Sequence, residues 1–115
     1  MKWTIEFYED PKGNFPVKEF ILLQDAKVKA KLLRVIDLLE EHGLDLPASF
    51  AEKLNDVWEL KERFGTERYR FLYFPFTGRK FILLHAFLKK TRKTPPREIE
   101  LAETRRNAHI KKFKK

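Results

Sequence analysis

Hydrophobic and polar side chains alternate along three consecutive segments of residues 57–94. In the second segment, for example, Tyr69, Phe71 and Tyr73 share one parity, and the other holds Arg68 and Arg70 beside Leu72 and Phe74. A period of two is typical of β-strands that bury one face. Turn signals around Gly65 and Gly78 separate the segments. The pattern therefore predicts three antiparallel strands joined by short turns.

The polar side of this alternation is rich in cations. Lys61 and Arg63 lie in the first predicted strand, and Arg68 and Arg70 lie in the second. The third strand leads into the basic run 89–93. Successive side chains of a strand point to opposite faces of the sheet. One face can therefore be packed while the other holds cations on a stiff frame, an arrangement that suits a phosphate backbone.

The residues before these three strands predict one strand and two helices. Alternation predicts a strand over residues 3–8, and Pro16 can open a short helix over residues 17–23. Apolar residues recur at helical spacing over about 25–42, which predicts an amphipathic helix. Gly43 is placed to cap its end.

Residues 44–56 are predicted to form a loop, and a last helix is predicted to begin at Pro95 with Thr94 as its cap. The sequence leaves open whether this helix docks on the body and which sheet edge the first strand joins. The element order predicts an α+β fold in one domain, residues 1–115. We expect a mainly antiparallel four-stranded sheet with two N-terminal helices packed on one face and a C-terminal helix.

With two helices on one face, the other face would form a shallow cleft lined by Lys61 and Arg70. The charge distribution suits this expectation. The chain carries a net charge of +8, and residues 79–115 hold 13 Lys or Arg against 3 Asp or Glu, whereas residues 1–78 hold 12 against 14. This asymmetry indicates a polyanionic partner, most often nucleic acid, although the last residues could be a solvated basic tail.

Composition and spacing exclude several other kinds of site. There is no cysteine, so disulfides and thiolate metal sites are impossible. The histidines His42, His85 and His109 lack metal-ligand spacing, and no glycine-rich phosphate loop is present. No apolar run approaches the ~20 residues that cross a bilayer. We expect a cytoplasmic protein without membrane contact, metal or cofactor.

Cleavage of RNA without a metal remains compatible with these residues. The ribose 2′-OH supplies the nucleophile, so the protein needs to orient it, stabilise negative charge on phosphorus and move protons. Arg70 is suited to hold phosphate oxygens, Lys61 can stabilise charge, and His85 has an intrinsic pKa suited to acid–base chemistry.

Each of these residues also has a structural interpretation. Arg70 could pair with Glu59 or Glu67, Lys61 could be an ordinary solvated strand residue, and His85 could be a hydrogen-bonded histidine of an apolar strand. The lysines after the third strand could guard a sheet edge against unwanted pairing.

Four runs together resemble a known family. They are Val-Trp-Glu-Leu-Lys at 57–61, Arg-Tyr-Arg-Phe-Leu-Tyr at 68–73, Leu-Leu-His-Ala-Phe-Leu at 83–88 and Lys-Lys-Thr-Arg-Lys-Thr-Pro at 89–95. This combination is similar to the RelE/HigB toxin superfamily, and most similar to its phage-derived branch. The helical first half fits the same family in order and length.

The resemblance implies a RelE-like fold and the toxin of a type II toxin–antitoxin system. Such toxins cleave mRNA on the ribosome without a metal and inhibit translation. A cognate antitoxin, in this branch usually a helix-turn-helix protein, neutralises them and makes the contact with operator DNA.

By the same resemblance, Arg70 would hold the scissile phosphate, Lys61 and Lys90 would be basic positions around it, and His85 matches a histidine of the branch. The basic residues that flank these positions would bind RNA: Arg63, Arg68, Lys89, Arg92 and Lys93. Glu59 stands where some members carry a lysine, so the general base is not identified. The alternative is a non-catalytic regulator that binds the ribosome or nucleic acid and acts with an antitoxin partner.

Overall fold

One strand and two helices precede a run of four strands, and a third helix follows them, in the computed structural model, which describes residues 2–114. The strands are β1 (Thr4–Phe7), β2 (Ala51–Leu54), β3 (Val57–Phe64), β4 (Glu67–Phe76) and β5 (Lys80–Leu88). The helices are α1 (Pro16–Leu22), α2 (Ala26–His42) and α3 (Pro96–Phe113), with a short 3-10 helix at Gly43–Asp45. Within this range no helix is long and apolar enough to cross a membrane.

The five strands form one mixed sheet in the order β1-β5-β4-β3-β2. The strands β2 to β5 pair antiparallel with their neighbours, which confirms the three predicted antiparallel strands. β1 lies parallel to β5, with Thr4 opposite Lys80 and Phe7 opposite Leu83. The expected α+β class is correct, but the expectation of a four-stranded sheet is wrong.

The additional strand, β2, lies in residues 44–56, which were predicted to be a loop. Ala51 pairs with Leu60 and Leu54 pairs with Val57, so β2 covers the outer edge of β3. The turn between them uses Asn55 at a φ of 55°. Asparagine tolerates this left-handed conformation better than most residues, so a tight turn forms without glycine.

The first two helices cover one face of the sheet and bury its apolar side chains. Asp25 caps α2 by accepting a hydrogen bond from the Val28 N–H at 3.0 Å. The apolar residues of α1 and α2 meet the face that carries Tyr69, Phe71 and Tyr73, which are buried as expected. This core includes Val17, Ile21, Leu32, Val35, Leu39, Leu60, Phe81 and Leu83.

Gly43 ends α2 where the chain must pass a bulky side chain. Its N–H donates to the Leu39 carbonyl, as the predicted cap requires. Its φ is +56°, and a Cβ at this position would lie 2.2 Å from Nε1 of Trp3. Only glycine fits there without displacing the indole, which stacks on Phe81 with ring centroids 4.1 Å apart.

The third helix docks on the opposite face of the sheet. Ala102 is fully buried there, and Ile99 and Ile110 pack against the same apolar cluster. That cluster includes Val57, Leu72, Phe74, Ile82, Leu84 and Phe87. The face expected to be uncovered is therefore partly covered.

The start of α3 also differs from the prediction. Pro95 occupies the N-cap position and no side chain caps the helix, whereas Thr94 donates its hydroxyl hydrogen bond to Glu59. The predicted capping role of Thr94 is wrong because the helix begins at Pro96, which makes Pro95 the N-cap residue, and the Thr94 hydroxyl is directed to the buried carboxylate of Glu59.

A β-bulge in β5 turns His85 towards α3. Leu72 pairs with His85 but Tyr73 pairs with Leu83, which leaves Leu84 as the extra residue. The Leu84 carbonyl accepts a hydrogen bond from Arg105 Nη1 at 2.8 Å. Because Leu72 faces α3, its partner His85 faces α3 as well.

The core beneath α2 can be tested with a matched pair of leucine substitutions. Leu32 is fully buried and Leu23 is 84% exposed. We expect Leu32→Ala to lower the free energy of unfolding by about 2–5 kcal/mol, because it leaves a cavity, measured by urea denaturation. Leu23→Ala should change it by less than about 0.5 kcal/mol. Equal effects of the two substitutions would contradict this packing.

Candidate nucleic-acid interface

Two neighbouring cross-strand pairs in the β3–β4 hairpin join residues of the same charge. Lys61 lies opposite Arg70, and Arg63 lies opposite Arg68. Like charges directly opposite each other in a sheet are destabilising. All four side chains lie on the face of α3, because their sequence neighbours Leu60, Phe64 and Tyr69 belong to the core beneath the first two helices. Together with Lys89 we call them the cationic cluster.

Arg70 is the buried member of the cluster, and only 11% of its side chain is exposed. Its Nη1 donates to its neighbour's carbonyl, that of Tyr69, at 3.0 Å. Its Nε lies 3.8 Å from Glu59 Oε1 and has no hydrogen-bond partner among the described residues. Burial lowers the pKa of Arg70, the charge of Glu59 opposes this, and nearby arginines add to it. Because Nε is itself buried, an anion from solvent could contact only the exposed part of the guanidinium.

Glu59 is the buried counter-charge of the cluster. Its side chain is 2% exposed, and it approaches Arg70 with one oxygen while the other accepts the hydroxyl hydrogen bond of Thr94. Glu59 thus connects β3, β4 and the segment before α3. The interpretation of Arg70 as a partner of Glu59 is correct, and it coexists with the unused donor on Nε.

Lys61 also forms hydrogen bonds, but its partners lie in and just before β2 and not in β4. Its Nζ donates to Glu52 Oε1 at 2.8 Å and to the Ala48 carbonyl at 3.2 Å. The hydrogen bond and charge of Lys61 lower the pKa of Glu52. β2 therefore holds this ammonium in a fixed position beside Arg70, which would otherwise repel it.

Lys89 joins the cluster from the end of β5. Its backbone N–H donates to the Arg68 carbonyl at 2.8 Å, which continues the sheet by one residue. Burial lowers the pKa of Lys89; Glu59 opposes this, and Arg70 and Lys61 add to it. Its ammonium therefore loses a proton more readily than that of an ordinary lysine.

The four members of the cluster on β3 and β4 line a small open cleft of about 230 Å³. It is lined by Ser49, Phe50, Lys61, Glu62, Arg63, Arg68 and Arg70. Lys61 and Arg70 thus lie on the same face and line the same cleft. The expected cleft exists, but it is limited to the part of the sheet that α3 leaves open.

The remaining basic residues lie apart from this cleft. Lys90, Arg92 and Lys93 are exposed in the segment between β5 and α3. Lys90 Nζ lies 3.9 Å from Glu67 Oε2, and its side chain is 73% exposed. Within this segment, the Thr91 hydroxyl donates to the Lys93 carbonyl at 2.6 Å. These cations extend the positive surface next to Lys89.

His85 is held by the third helix and does not line the cleft. Its Nε2 lies 2.7 Å from Glu98 Oε1, and its ring stacks on Phe87 with centroids 5.2 Å apart. Burial lowers the pKa of His85, whereas the hydrogen bond and charge of Glu98 oppose this. His85 therefore joins β5 to the first turn of α3, as its structural interpretation proposes.

Sequence reasoning missed two contributors to the cleft. Phe50 lines it from the residue before β2, and Glu52 holds Lys61. Both depend on β2, whose sequence Ala-Glu-Lys-Leu does not alternate between apolar and polar residues, so the Asn-Asp turn after it was the available signal. Thr94 was noticed only as a helix cap. Among residues 2–114, no three His, Asp or Glu side chains are grouped so that they could hold a metal ion.

Comparison with known proteins identifies one family. Its model, described as phage derived protein Gp49-like (DUF891), matches residues 19–107. The matched segment contains the whole cationic cluster together with Glu59, Thr94 and His85. A search of curated proteins finds no match to the chain.

The role of Glu59 as counter-charge predicts a selective effect of neutralising it. We expect Glu59→Gln to lower the free energy of unfolding by about 1–3 kcal/mol, because Arg70 stays buried without a counter-charge. Glu67→Gln is the matched control, since Glu67 is half exposed and its contact with Lys90 is 3.9 Å. It should change stability by less than about 0.5 kcal/mol. Urea denaturation at low and high salt measures the stability of both variants. Added salt should reduce the difference in stability between Glu59→Gln and Glu67→Gln, because it screens the cations. A harmless Glu59→Gln would contradict the assignment.

The pKa shift of His85 predicts a loss of stability in mild acid. Because burial lowers the pKa of His85 in the folded state, the unfolded chain takes up the proton first. The free energy of unfolding should therefore fall as pH drops through about 6.5, the pKa of an unperturbed histidine. In His85→Gln this fall should be smaller, and the remainder comes from His109, whose pKa burial also lowers.

The control for the pH experiment is His42→Gln, because His42 is exposed at the end of α2. Its pH profile of unfolding, measured from about pH 7.5 to about pH 5.5, should match that of the parent protein. If His85→Gln also kept the parent's profile, the buried imidazole would not be the titrating group.

Proposed function

The chain belongs to the Gp49-like family of phage-derived proteins, and we propose that it is a toxin that binds messenger RNA on the ribosome and cleaves it. The cationic cluster would be the site. The similarity to RelE/HigB toxins in four sequence runs supports the toxin assignment, and the geometry of the cluster supports binding of a polyanion.

The observation that carries the proposal is the pair of adjacent like-charge contacts with a buried, incompletely bonded arginine. Each such contact costs stability, roughly 0.2–1 kcal/mol, and a buried donor without an acceptor costs about 1–3 kcal/mol. A bound polyanion would relieve the repulsion between the paired cations, whereas Arg70 Nε stays buried beside Glu59. The two charged acceptor oxygens of a phosphodiester are spaced so that a guanidinium can donate a hydrogen bond to each of them.

In the proposed reaction the 2′-oxygen of the ribose attacks the adjacent phosphorus. The bond from phosphorus to the 5′-oxygen of the next nucleotide breaks, which leaves a cyclic phosphate and a 5′-hydroxyl. Arg70 would hold the phosphate oxygens and stabilise the added negative charge, with Lys61 beside it. Lys89, whose pKa is lowered, is the cluster member best suited to exchange protons with the reacting oxygens.

The other predicted residues would act around this centre. Arg63 and Arg68 would bind phosphates on either side of the cleaved bond, and Lys90, Arg92 and Lys93 would guide the strand along the exposed segment. His85 would keep α3 and the segment before it in place through Glu98 instead of transferring protons itself. No cofactor takes part in the proposed reaction.

We expect this activity to be controlled by a cognate antitoxin, a helix-turn-helix protein that would also make the contact with operator DNA. The ribosome would present the message to the cluster. Because the proposed substrate is messenger RNA on the ribosome, we expect the protein to act in the cytoplasm.

A second candidate function is that of a non-catalytic protein that blocks the ribosome. This function is favoured because the acid–base groups near the cleft already have hydrogen-bond partners. Glu59 accepts from Thr94, Glu52 from Lys61, and His85 is bonded to Glu98. In this case the cluster would bind RNA with the same cations and the message would stay intact.

Substituting the buried arginine tests the proposal. We expect Arg70→Ala to reduce cleavage of translated mRNA by about 10²–10³-fold, because the phosphorane loses its main electrostatic partner. Growth arrest on expression should be relieved. Primer extension on a translated message measures the cuts, and circular dichroism verifies that the variant is folded. The matched control is Arg34→Ala on the exposed side of α2, which should cleave like the parent.

The outcomes separate the two candidates. Internal cuts by the parent protein that disappear in Arg70→Ala support the enzyme. Halted translation with intact message supports the ribosome-blocking protein. If Arg70→Ala cleaves like the parent, the proposed site is wrong.

A further inference from the structure

Thr94 lies between the sheet and the last helix, in a stretch of chain with little conformational freedom. It is followed by Pro95, the N-cap residue of α3, and by Pro96, where the helix begins. The ring of a proline fixes its own φ, and the residue before a proline is restricted mostly to extended conformations. Because Ala102 of the same helix is buried against the sheet, docking of α3 places the Thr94 side chain beside β3.

The Thr94 hydroxyl occupies one of the two carboxylate oxygens of Glu59. It donates to Oε2, whereas Oε1 is the oxygen that approaches Arg70. A carboxylate and a guanidinium often form a fork of two parallel hydrogen bonds, at about 2.7–2.9 Å each. Oε1 instead lies 3.8 Å from Arg70 Nε, which has no hydrogen-bond partner in the described part of the chain. Glu59 therefore balances the charge of Arg70 without occupying its donors.

The contact between Glu59 and Arg70 determines how much of the guanidinium is left for an anion in the cleft. Arg70 lines the cleft with the small part of its side chain that is exposed. If both oxygens of Glu59 turned to the guanidinium, they would neutralise its charge and compete with a phosphate for its N–H groups. The hydrogen bond from Thr94 opposes this rearrangement because it holds Oε2 on the side of α3.

Thr94 also anchors the basic segment 90–93, which is a separate effect. At the start of this segment the Lys89 N–H donates to the Arg68 carbonyl at 2.8 Å, and at its end Thr94 is bonded to Glu59. Loss of the hydroxyl could therefore weaken RNA binding in two ways, by releasing the segment or by changing the contact with Arg70. An experiment on Thr94 has to separate the two.

We propose that Thr94 is a positioning residue of the RNA site, which keeps the donors of Arg70 available to a phosphate by holding the Glu59 carboxylate away from them. Thr94 itself touches neither the RNA nor the reacting atoms and acts through Glu59. The proposal rests on the proposed function for its ligand, whereas the effect of Thr94 on Glu59 and Arg70 exists in the protein alone.

NMR spectra of the protein without RNA give the first test. Thr94→Val keeps the shape of the side chain and removes the donor, so Glu59 is free to form the fork with Arg70. We expect the Arg70 Nε–H signal to move downfield and its exchange with water to slow, because this group gains an acceptor. Thr94→Ser should restore the parent signal. The matched control is Thr91→Val, since the Thr91 hydroxyl donates to the Lys93 carbonyl in the same segment and should not affect Arg70.

Binding of a short single-stranded RNA gives the second test. Its nucleotides carry 2′-O-methyl groups, so it lacks the 2′-OH nucleophile and stays intact. We expect Thr94→Val to bind this RNA about tenfold more weakly, by loss of one charge-assisted phosphate contact. The slope of log affinity against log salt should decrease in magnitude by about 0.7, the contribution of one phosphate in a single strand. Thr94→Ser and Thr91→Val should bind like the parent.

The Glu59→Gln background separates positioning from anchoring. In Glu59→Gln the side chain still offers an amide oxygen to the Thr94 hydroxyl, but it has no charge with which to neutralise Arg70. Adding Thr94→Val to Glu59→Gln should therefore leave the RNA affinity unchanged. If the affinity falls by the same factor as in the single variant, Thr94 acts only as an anchor of the segment and the proposal is overturned.

The proposal is also overturned if the Arg70 Nε–H signal of Thr94→Val stays as in the parent, or if Thr94→Ser does not restore it. These spectra need neither RNA nor Glu59→Gln, so they decide the matter even where the double variant does not fold. If the parent protein binds no RNA while the spectra change as expected, the proposed function fails and the control of Glu59 by Thr94 stands.

Discussion

A buried carboxylate among cations is the interaction on which the candidate site depends. Glu59 approaches Arg70 with one oxygen and accepts the Thr94 hydroxyl with the other, so it ties two strands to the segment before the last helix. Glu59 and Glu52, the two carboxylates paired with Arg70 and Lys61, do not balance the five cations of the cluster. The hairpin therefore remains electrostatically incomplete, which costs stability and leaves binding capacity for an anion.

The position of α3 decides where that incomplete charge is exposed. The helix buries Ala102 against the apolar half of its sheet face and stops short of the hairpin end, where the cations begin. His85 and Glu98 hold the first turn of the helix to β5. The same docking thus builds the second core and forms one limit of the cationic cleft, so stability and the shape of the site are coupled.

Two surfaces with different chemistry lie on opposite parts of one sheet. Side-chain cations dominate the cleft near Arg70, whereas an open groove beside Phe7 is lined by aromatic rings together with three carboxylates and three lysines. β5 lies between β1 and the hairpin, and its central residues are buried on both faces. A protein bound at one surface would leave the other accessible, unless the partner is large enough to extend across both.

Alternation and helical spacing were sufficient to predict α1, α2, the antiparallel strands β3 to β5 and the shared face of Lys61 and Arg70, because local periodicity reports which side chains are buried. The short strand β2 escaped, since residues 51–54 gain their structure from pairing with β3. The parallel placement of β1, the bulge at Leu84 that turns His85 towards Glu98, and the Thr94 contact with Glu59 all join residues distant in sequence. Such contacts depend on how packed layers meet in space, and for this reason only the tertiary structure decided them.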